Sequence, residues 1–255
     1  MGRLDGQVTI VTGGSRGIGR AVALAFAHEG ARVAVAAAQD RDTLRKIEEE
    51  IAAIGGDSIA MLADVCRRGD VEGVVQAALS KWGRIDVLVN NAGILRLGPL
   101  ESISEERWDE TLAVHLNGTF HCTQAVIPIM KQQGKGKIIN IAAPSALRGS
   151  FGVADYAAAK GGIIAFTKNA ASELGAYNIQ VNLHLAGGGY AHDRGVDKVS
   201  PRTLGHRPAR PRIRPARSDR AGLFILRHGR FRSRLGTTDR SRQNLARSRS
   251  DKRAR

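Results

Sequence analysis

Tyr156 and Lys160 stand four residues apart in a stretch, 155–176, whose composition predicts a helix, so their side chains share one face. A phenol titrating near 10 is a poor acid or base at neutral pH, and a neighbouring ammonium favours its ionised form. Such a pair can give a proton to an oxygen or take one from it. On spacing alone, a Tyr-xxx-Lys pair equally describes the surface of an amphipathic helix. A second chemical candidate lies near the start, where an apolar run over 8–12 opens into Gly13, Gly14, Ser15, Arg16, Gly17, Ile18 and Gly19. Glycines there permit a tight turn and let the backbone approach a pyrophosphate seated at a positive helix N-terminus. The spacing Gly13-xxx-Gly17-x-Gly19 departs from the common GxGxxG pattern, and by itself it also fits a plain turn.

These groups need a scaffold, and the pattern of the first 183 residues supplies one. Short β-branched runs over 7–12, 32–37, 58–62, 86–90, 137–142 and 179–183 alternate with helical stretches over 17–30, 41–54, 69–82, 105–133 and 155–176. Gly30, Gly55, Gly83, Gly134 and Gly175 fall where helix C-termini are expected. Alternation of this kind predicts an α/β fold: a single, doubly wound parallel sheet of Rossmann type with helices on both faces. Such sheets bind ligands beyond the carboxyl ends of their strands, and both candidate groups fall there.

Further segments complete a recognisable series. Thr12-Gly13-xxx-Gly17-x-Gly19, then Asp64-Val65 after the third strand, Asn90-Asn91-Ala92-Gly93 after the fourth, and Tyr156-xxx-Lys160 occur in order. Over about residues 5–183 the chain resembles the short-chain dehydrogenases/reductases, and most nearly their 3-oxoacyl-(acyl-carrier-protein) reductase branch. The resemblance implies an NAD(P)(H)-dependent oxidoreductase that moves hydride between nicotinamide and a ketone, aldehyde or secondary alcohol. It implies cofactor contacts from Gly13, Ser15, Arg16, Gly17, Ile18, Gly19, Asp64, Val65, Asn91, Ala92, Gly93, Tyr156 and Lys160. It further implies that Tyr156 protonates the carbonyl oxygen, that Lys160 holds the nicotinamide ribose, and that Asn117 orders a proton-relay water. Read without the resemblance, Asn117 is equally a helix kink or a buried amide.

Two departures qualify this picture. Members that bind NAD carry an acid at the end of the second strand; here that position is Ala37, followed by Ala38, and Asp40 reads as the N-cap of the next helix. With Arg16 near, NADP(H) is favoured over NAD(H). The resemblance also implies a Ser 13 residues before the Tyr, and Ala143 stands there, with Ser145 two residues on. Losing one preorganised donor to the substrate oxygen costs about 10²–10³ in rate, so an alternative reading is a nucleotide-binding but catalytically impaired member.

The chain is also two unlike pieces. Residues 201–255 hold 18 of the 39 Lys and Arg but three of the 24 acids, which accounts for the whole net charge of +15. We therefore read 1–183 as the cofactor-binding and catalytic domain, 184–200 as an altered substrate-loop region, and 201–255 as an Arg-rich tail expected to be disordered. The segment Leu183-His184-Leu185-Ala186-Gly187 is compatible with codons that, read one base later, encode Ser-Ile-Ser-Pro-Gly, which points to a reading-frame shift near residue 183. Taken literally, the tail would bind nucleic acid nonspecifically through phosphates. Aromatic residues are 4 % of the chain, so the core must be aliphatic. Cys66 and Cys122 read as small buried apolar residues in a reducing compartment. The N-terminus lacks the pattern of a signal peptide, and no apolar run is long enough to span a bilayer. We expect no metal, a cytoplasmic protein, and a homo-oligomer, since the family commonly forms tetramers.

Overall fold

The computed structural model describes residues 2–186, which contain six parallel strands: β1 (Val8–Thr12), β2 (Arg32–Ala37), β3 (Ser58–Leu62), β4 (Val87–Asn90), β5 (Gly136–Ala142) and β6 (Ile179–Leu185). Their order across the sheet is β3-β2-β1-β4-β5-β6. The chain builds outward from β1, then returns to the centre and builds outward the other way from β4. Beside β1, register runs from Val8↔Arg32 to Thr12↔Ala36 on one side and from Thr9↔Val87 to Val11↔Val89 on the other. Strand order reverses between β1 and β4, the switch point beyond whose carboxyl ends sheets of this kind bind ligands.

The described residues also form seven helices, α1 (Gly17–His28), α2 (Arg41–Ala53), α3 (Arg68–Trp82), α4 (Glu105–Leu112), α5 (Gly118–Gln133), α6 (Ser145–Arg148) and α7 (Ala154–Leu174), of which α1, α2, α3, α5 and α7 lie against the sheet while α4 and α6 pack on α7. Successive strand residues point to opposite faces, and the core divides accordingly. Ile10, Leu88 and Ile138 pack with Val75, Val126 and Leu174 of α3, α5 and α7. Val11, Val35 and Val89 pack with Ala23 of α1 and with Leu44, Ile47 and Ile51 of α2. Each fully buried Ile or Leu contributes roughly 1.5–3 kcal/mol, so aliphatic burial on two faces suffices without aromatics.

The expected doubly wound sheet is present, with four local differences. Strand β6 runs two residues past the expected 183, pairing as far as Ala142↔Leu185. The stretch 105–133 is not one helix: a single π-helical turn, Ala113–Asn117, separates α4 from α5. Gly30, Gly55, Gly83 and Gly134 adopt the positive φ expected of them, whereas Gly175 has φ −59°. After α7 the chain continues as a 3-10 turn, Gly175–Tyr177, and Asn178, at φ 58°, makes the reversal instead. Cys122 lies in the core as expected, but Cys66 is only half-buried. Among the described residues no helix is long and apolar enough to cross a membrane. The expectations for most of 184–200 and for the whole of 201–255 lie outside the described residues.

Candidate active site

The crevice is assembled by Thr12 at the end of β1. Its hydroxyl accepts the N–H groups of Asn91 and Ala92, both at 3.1 Å, and donates to the Val89 carbonyl at 3.4 Å. The Asn91 amide donates back to the carbonyls of Thr12 at 3.0 Å and Gly13 at 3.1 Å. The loops after β1 and β4 are thereby clamped together. Contact is close enough that a Cβ on Gly13 would lie 2.8 Å from Ala92 Cα, and one on Gly19 2.2 Å from the Gly13 oxygen.

Helix α1 begins beside this clamp. Its N-cap, Arg16, is extended, supplies no side-chain cap, and no acid stands in the first turn. Ser15 is buried, while Arg16, Gly17 and Ile18 are exposed. An uncapped, acid-free helix start carries about half a positive charge and suits a phosphate group. On the neighbouring strand, β2 ends at Ala37 with no carboxylate. Asp40 instead caps α2 as expected, accepting the Thr43 N–H at 3.1 Å.

The Asp64 carboxylate accepts the Cys66 N–H at 2.9 Å and remains half-exposed at the end of β3. Val65 does not present its side chain to the crevice. It is 6 % exposed and belongs to the core, and its carbonyl is engaged by His121 Nδ1 at 3.0 Å. Gly118 gives it room, since a Cβ there would lie 2.6 Å from Val65 Cγ2.

Tyr156 and Lys160 are both buried on α7, at 8 % and 3 % exposure. Lys160 Nζ donates to the Ile141 carbonyl at 2.7 Å and lies 5.5 Å from the centre of the Tyr156 ring. Burial pulls the ammonium down from 10.5 to about 8, so it is still charged at neutral pH. Ala143, fully buried, and Val153 pack against Tyr156, with Leu95 beside them. The hydroxyl of Ser145, at the start of α6, is buried and has no hydrogen-bond partner among the described residues.

Asn117 closes the π turn, at the helix irregularity that the sequence leaves open as the alternative to a relay role. It is exposed at the end of the π turn, and its side chain makes no capping bond. The helical residue brought against the phenol is His115, 2 % exposed, whose ring stands edge-on to Tyr156 with centroids 5.1 Å apart. The signal that would have found His115 is a polar ring inside the apolar run Ala113-Val114-His115-Leu116.

Comparison with known proteins agrees with this architecture. A family model described as short chain dehydrogenase matches residues 7–191. The chain is 44 % identical over 182 residues to a 3-oxoacyl-(acyl-carrier-protein) reductase of Synechocystis sp., covering 71 % of this chain and 74 % of that one. A reductase of the same name from Staphylococcus epidermidis is 43 % identical over 173 residues, covering 68 % and 71 %. Among solved structures, NAD+-bound xylitol dehydrogenase superposes with a TM-score of 0.69 at 34 % identity, covering 71 % of this chain and 70 % of that one. A short chain dehydrogenase from Mycobacterium avium does so with a TM-score of 0.68 at 40 % identity, covering 71 % and 68 %. With a family model spanning most of the chain and a relative this similar over nearly three-quarters of its length, the chain belongs to the short-chain dehydrogenases/reductases, a family of NAD(P)-dependent oxidoreductases.

Proposed function

We propose that this chain transfers hydride between NADP(H) and a ketone, aldehyde or secondary alcohol, using Tyr156 and Lys160 as its acid–base pair. The observation that carries the reading is a buried ammonium held on the Ile141 carbonyl and 5.5 Å from the ring of a buried phenol, beyond the carboxyl end of β5. The crevice fits a dinucleotide. Gly13 and Gly19 leave the space a Cβ would fill, α1 offers an uncapped N-terminus, and the Asp64 carboxylate is accessible. Gly13, Ser15, Arg16, Gly17, Ile18 and Gly19 would hold the phosphates, Asp64 the adenine, and Asn91, Ala92 and Gly93 the inner part of the nucleotide. Val65 would contribute only through its backbone.

The nicotinamide, when bound, supplies the hydride. Tyr156 gives its proton to the substrate oxygen in reduction and takes one in oxidation. Lys160, charged below about 8, steadies the phenolate; its remaining N–H bonds are available to the ribose. The absence of a carboxylate at Ala37 and Ala38, with Arg16 exposed nearby, supports NADP(H) over NAD(H). Fluorescence titration is expected to show tighter binding of NADPH than of NADH; a preference for NADH would overturn the assignment. Because the Synechocystis and Staphylococcus relatives are named for 3-oxoacyl reduction, 3-oxo thioesters are the first substrates to assay by NADPH oxidation.

A second reading has its own observation. Ala143 puts a buried methyl, rather than a hydroxyl, against Tyr156, which supports a nucleotide-binding member with impaired turnover. NADPH binding without oxidation across a panel of ketones and aldehydes would select it. The functional proposal carries with it a catalytic domain over 1–183, a substrate-loop region over 184–200, a cytoplasmic location and a homo-oligomer, whose mass light scattering measures.

A further inference from the structure

Large apolar side chains that meet water singly are ordinary, but a group of them on one rim marks a binding surface. Nine are exposed among the described residues, and four of these, Leu97, Leu100, Leu147 and Phe151, lie on the two segments that flank Tyr156 in the fold, 91–104 after β4 and 143–153 after β5. The two segments are tied to each other, since the Gly98 N–H donates to the Gly152 carbonyl at 3.0 Å. Nearer the phenol, Leu95 and Val153 of the same segments pack with Ala143 and Tyr156. The exposed rim therefore continues outward the apolar wall of the proposed site. Phe151 is its most exposed member, at 80 %. Gly149 and Gly152, on either side of it, have φ of 71° and 78°, a backbone that residues with side chains rarely adopt. An aromatic ring is thus carried in water between two glycine bends, five residues before Tyr156.

We infer that Phe151 is a specificity-determining residue for the reaction assigned above, and that the substrate is a ketone or secondary alcohol bearing an apolar ring. With the reacting oxygen at Tyr156, the substituent runs outward past Leu95 and Val153, and its ring packs on Phe151. That packing removes apolar surface of both partners from water, and an aromatic pair adds about two- to tenfold in affinity beyond the buried area. An open apolar chain gains the first effect without the second. The inference rests on the functional reading for its importance to turnover, but the contact with the ring can be measured without turnover.

Benzylacetone and butanone differ by one phenyl ring and carry the test. In the wild-type chain, kcat/KM for NADPH-linked reduction is expected to be about tenfold or more higher for benzylacetone. Phe151→Ala is expected to lower the benzylacetone value about tenfold, with the butanone value and the KM for NADPH within about twofold of wild type. Phe151→Leu, apolar but not aromatic, should fall between. Calorimetric titration of benzylacetone into the full-length protein, with and without NADP+, reads the same contact without turnover, and Phe151→Ala should weaken it by a similar factor. Thermal melting of the ligand-free protein reports whether the ring is free, because replacing an exposed side chain leaves Tm within about two degrees. A fall of several degrees would mean that another part of the chain already packs on Phe151, and it overturns the inference. So does a ratio of benzylacetone to butanone, in turnover or in titration, that Phe151→Ala leaves unchanged. A wild-type chain that binds neither NADPH nor NADH sinks the functional reading, whereas the titration without nucleotide judges Phe151 by itself.

Discussion

At neutral pH the Lys160 ammonium is 3 % exposed and donates to the Ile141 carbonyl, and burial lowers it from 10.5 to about 8. Between those values the unfolded chain holds a proton that the folded chain has released, so stability rises with pH across that window. Below about 8 both states are protonated, and the buried charge costs the fold on the order of 3 kcal/mol. Lys160→Met, which keeps length without charge, is therefore expected to raise the melting temperature at pH 7 by a few degrees. It should flatten the rise of stability above pH 8 and abolish NADPH-linked reduction. Thermal melts across pH, run beside the oxidation assay, measure all three; a lowered melting temperature at pH 7 would show that the Ile141 bond outweighs the burial. Ala143 makes the opposite kind of test, because there the chain lacks a polar group the proposed chemistry can use. Ala143→Ser is expected to raise kcat/KM for a ketone by about 10²-fold, and an unchanged value would point to another donor, for which the Ser145 hydroxyl, buried and without a partner among the described residues, is the candidate. At this scale the sequence was legible where types and spacing both counted, as at Tyr156 and Lys160. It was not legible at His115, whose burial against Tyr156 depends on the phase of a π turn that composition does not announce.

The elements around Tyr156 are held by a buried ion pair that no local pattern announces. Arg107, on α4, donates through Nε to Asp155 Oδ2 at 2.9 Å and through Nη2 to Oδ1 at 3.2 Å, and also reaches the Arg96 carbonyl at 2.8 Å. Thr111 adds its hydroxyl to Asp155 at 3.1 Å. Burial by itself pushes the Asp155 carboxyl up, but the Arg107 bonds, the Tyr156 N–H and the Thr111 hydroxyl outweigh it and hold it below the ordinary aspartate value. Its folded pKa is thus depressed, so its contribution is fully present above the unfolded value of 3.8 and is lost as pH falls through the depressed folded value. Asp155→Asn leaves Arg107 uncompensated and is expected to cost about 3–5 kcal/mol at pH 7. Because Asp155 opens the first turn of α7, the substitution should also lower turnover. Urea unfolding from pH 7 downwards measures the first effect: the variant should lie well below wild type at pH 7, and the gap should narrow as the pH falls below 3.8. The strands were readable from their β-branched runs to within one or two residues at each end. The long helical stretch 105–133 read as continuous because a π turn alters hydrogen bonding without altering composition. Arg107 and Asp155 are 48 residues apart, and only the packing of α4 on α7 brings them together.

For the whole molecule, the division of charge separates two kinds of ligand. Residues 1–200 hold 21 basic and 21 acidic residues, so the sheet and its crevice sit in a chain segment of no net charge; residues 201–255 hold 18 and three. Binding to the first depends on shape, a helix N-terminus and a few placed groups. Binding to the second would depend on counterion release, because Arg-rich sequence without a recognisable base-reading module contacts phosphates rather than bases. The full-length chain is accordingly expected to bind two unrelated DNA duplexes with affinities within a few-fold of each other. If it neutralises about 6–10 phosphates, each affinity should fall by roughly 10³–10⁵ between 50 and 200 mM salt. Fluorescence anisotropy with labelled duplexes at several salt concentrations measures both quantities. A preference of more than about tenfold for one duplex, persisting at high salt, would mean base readout and would give the basic segment a specific role. Saturating NADPH should leave the DNA affinities unchanged, because nucleotide and duplex are expected to use different parts of the chain. A shift in either direction would show that the neutral and basic parts are coupled.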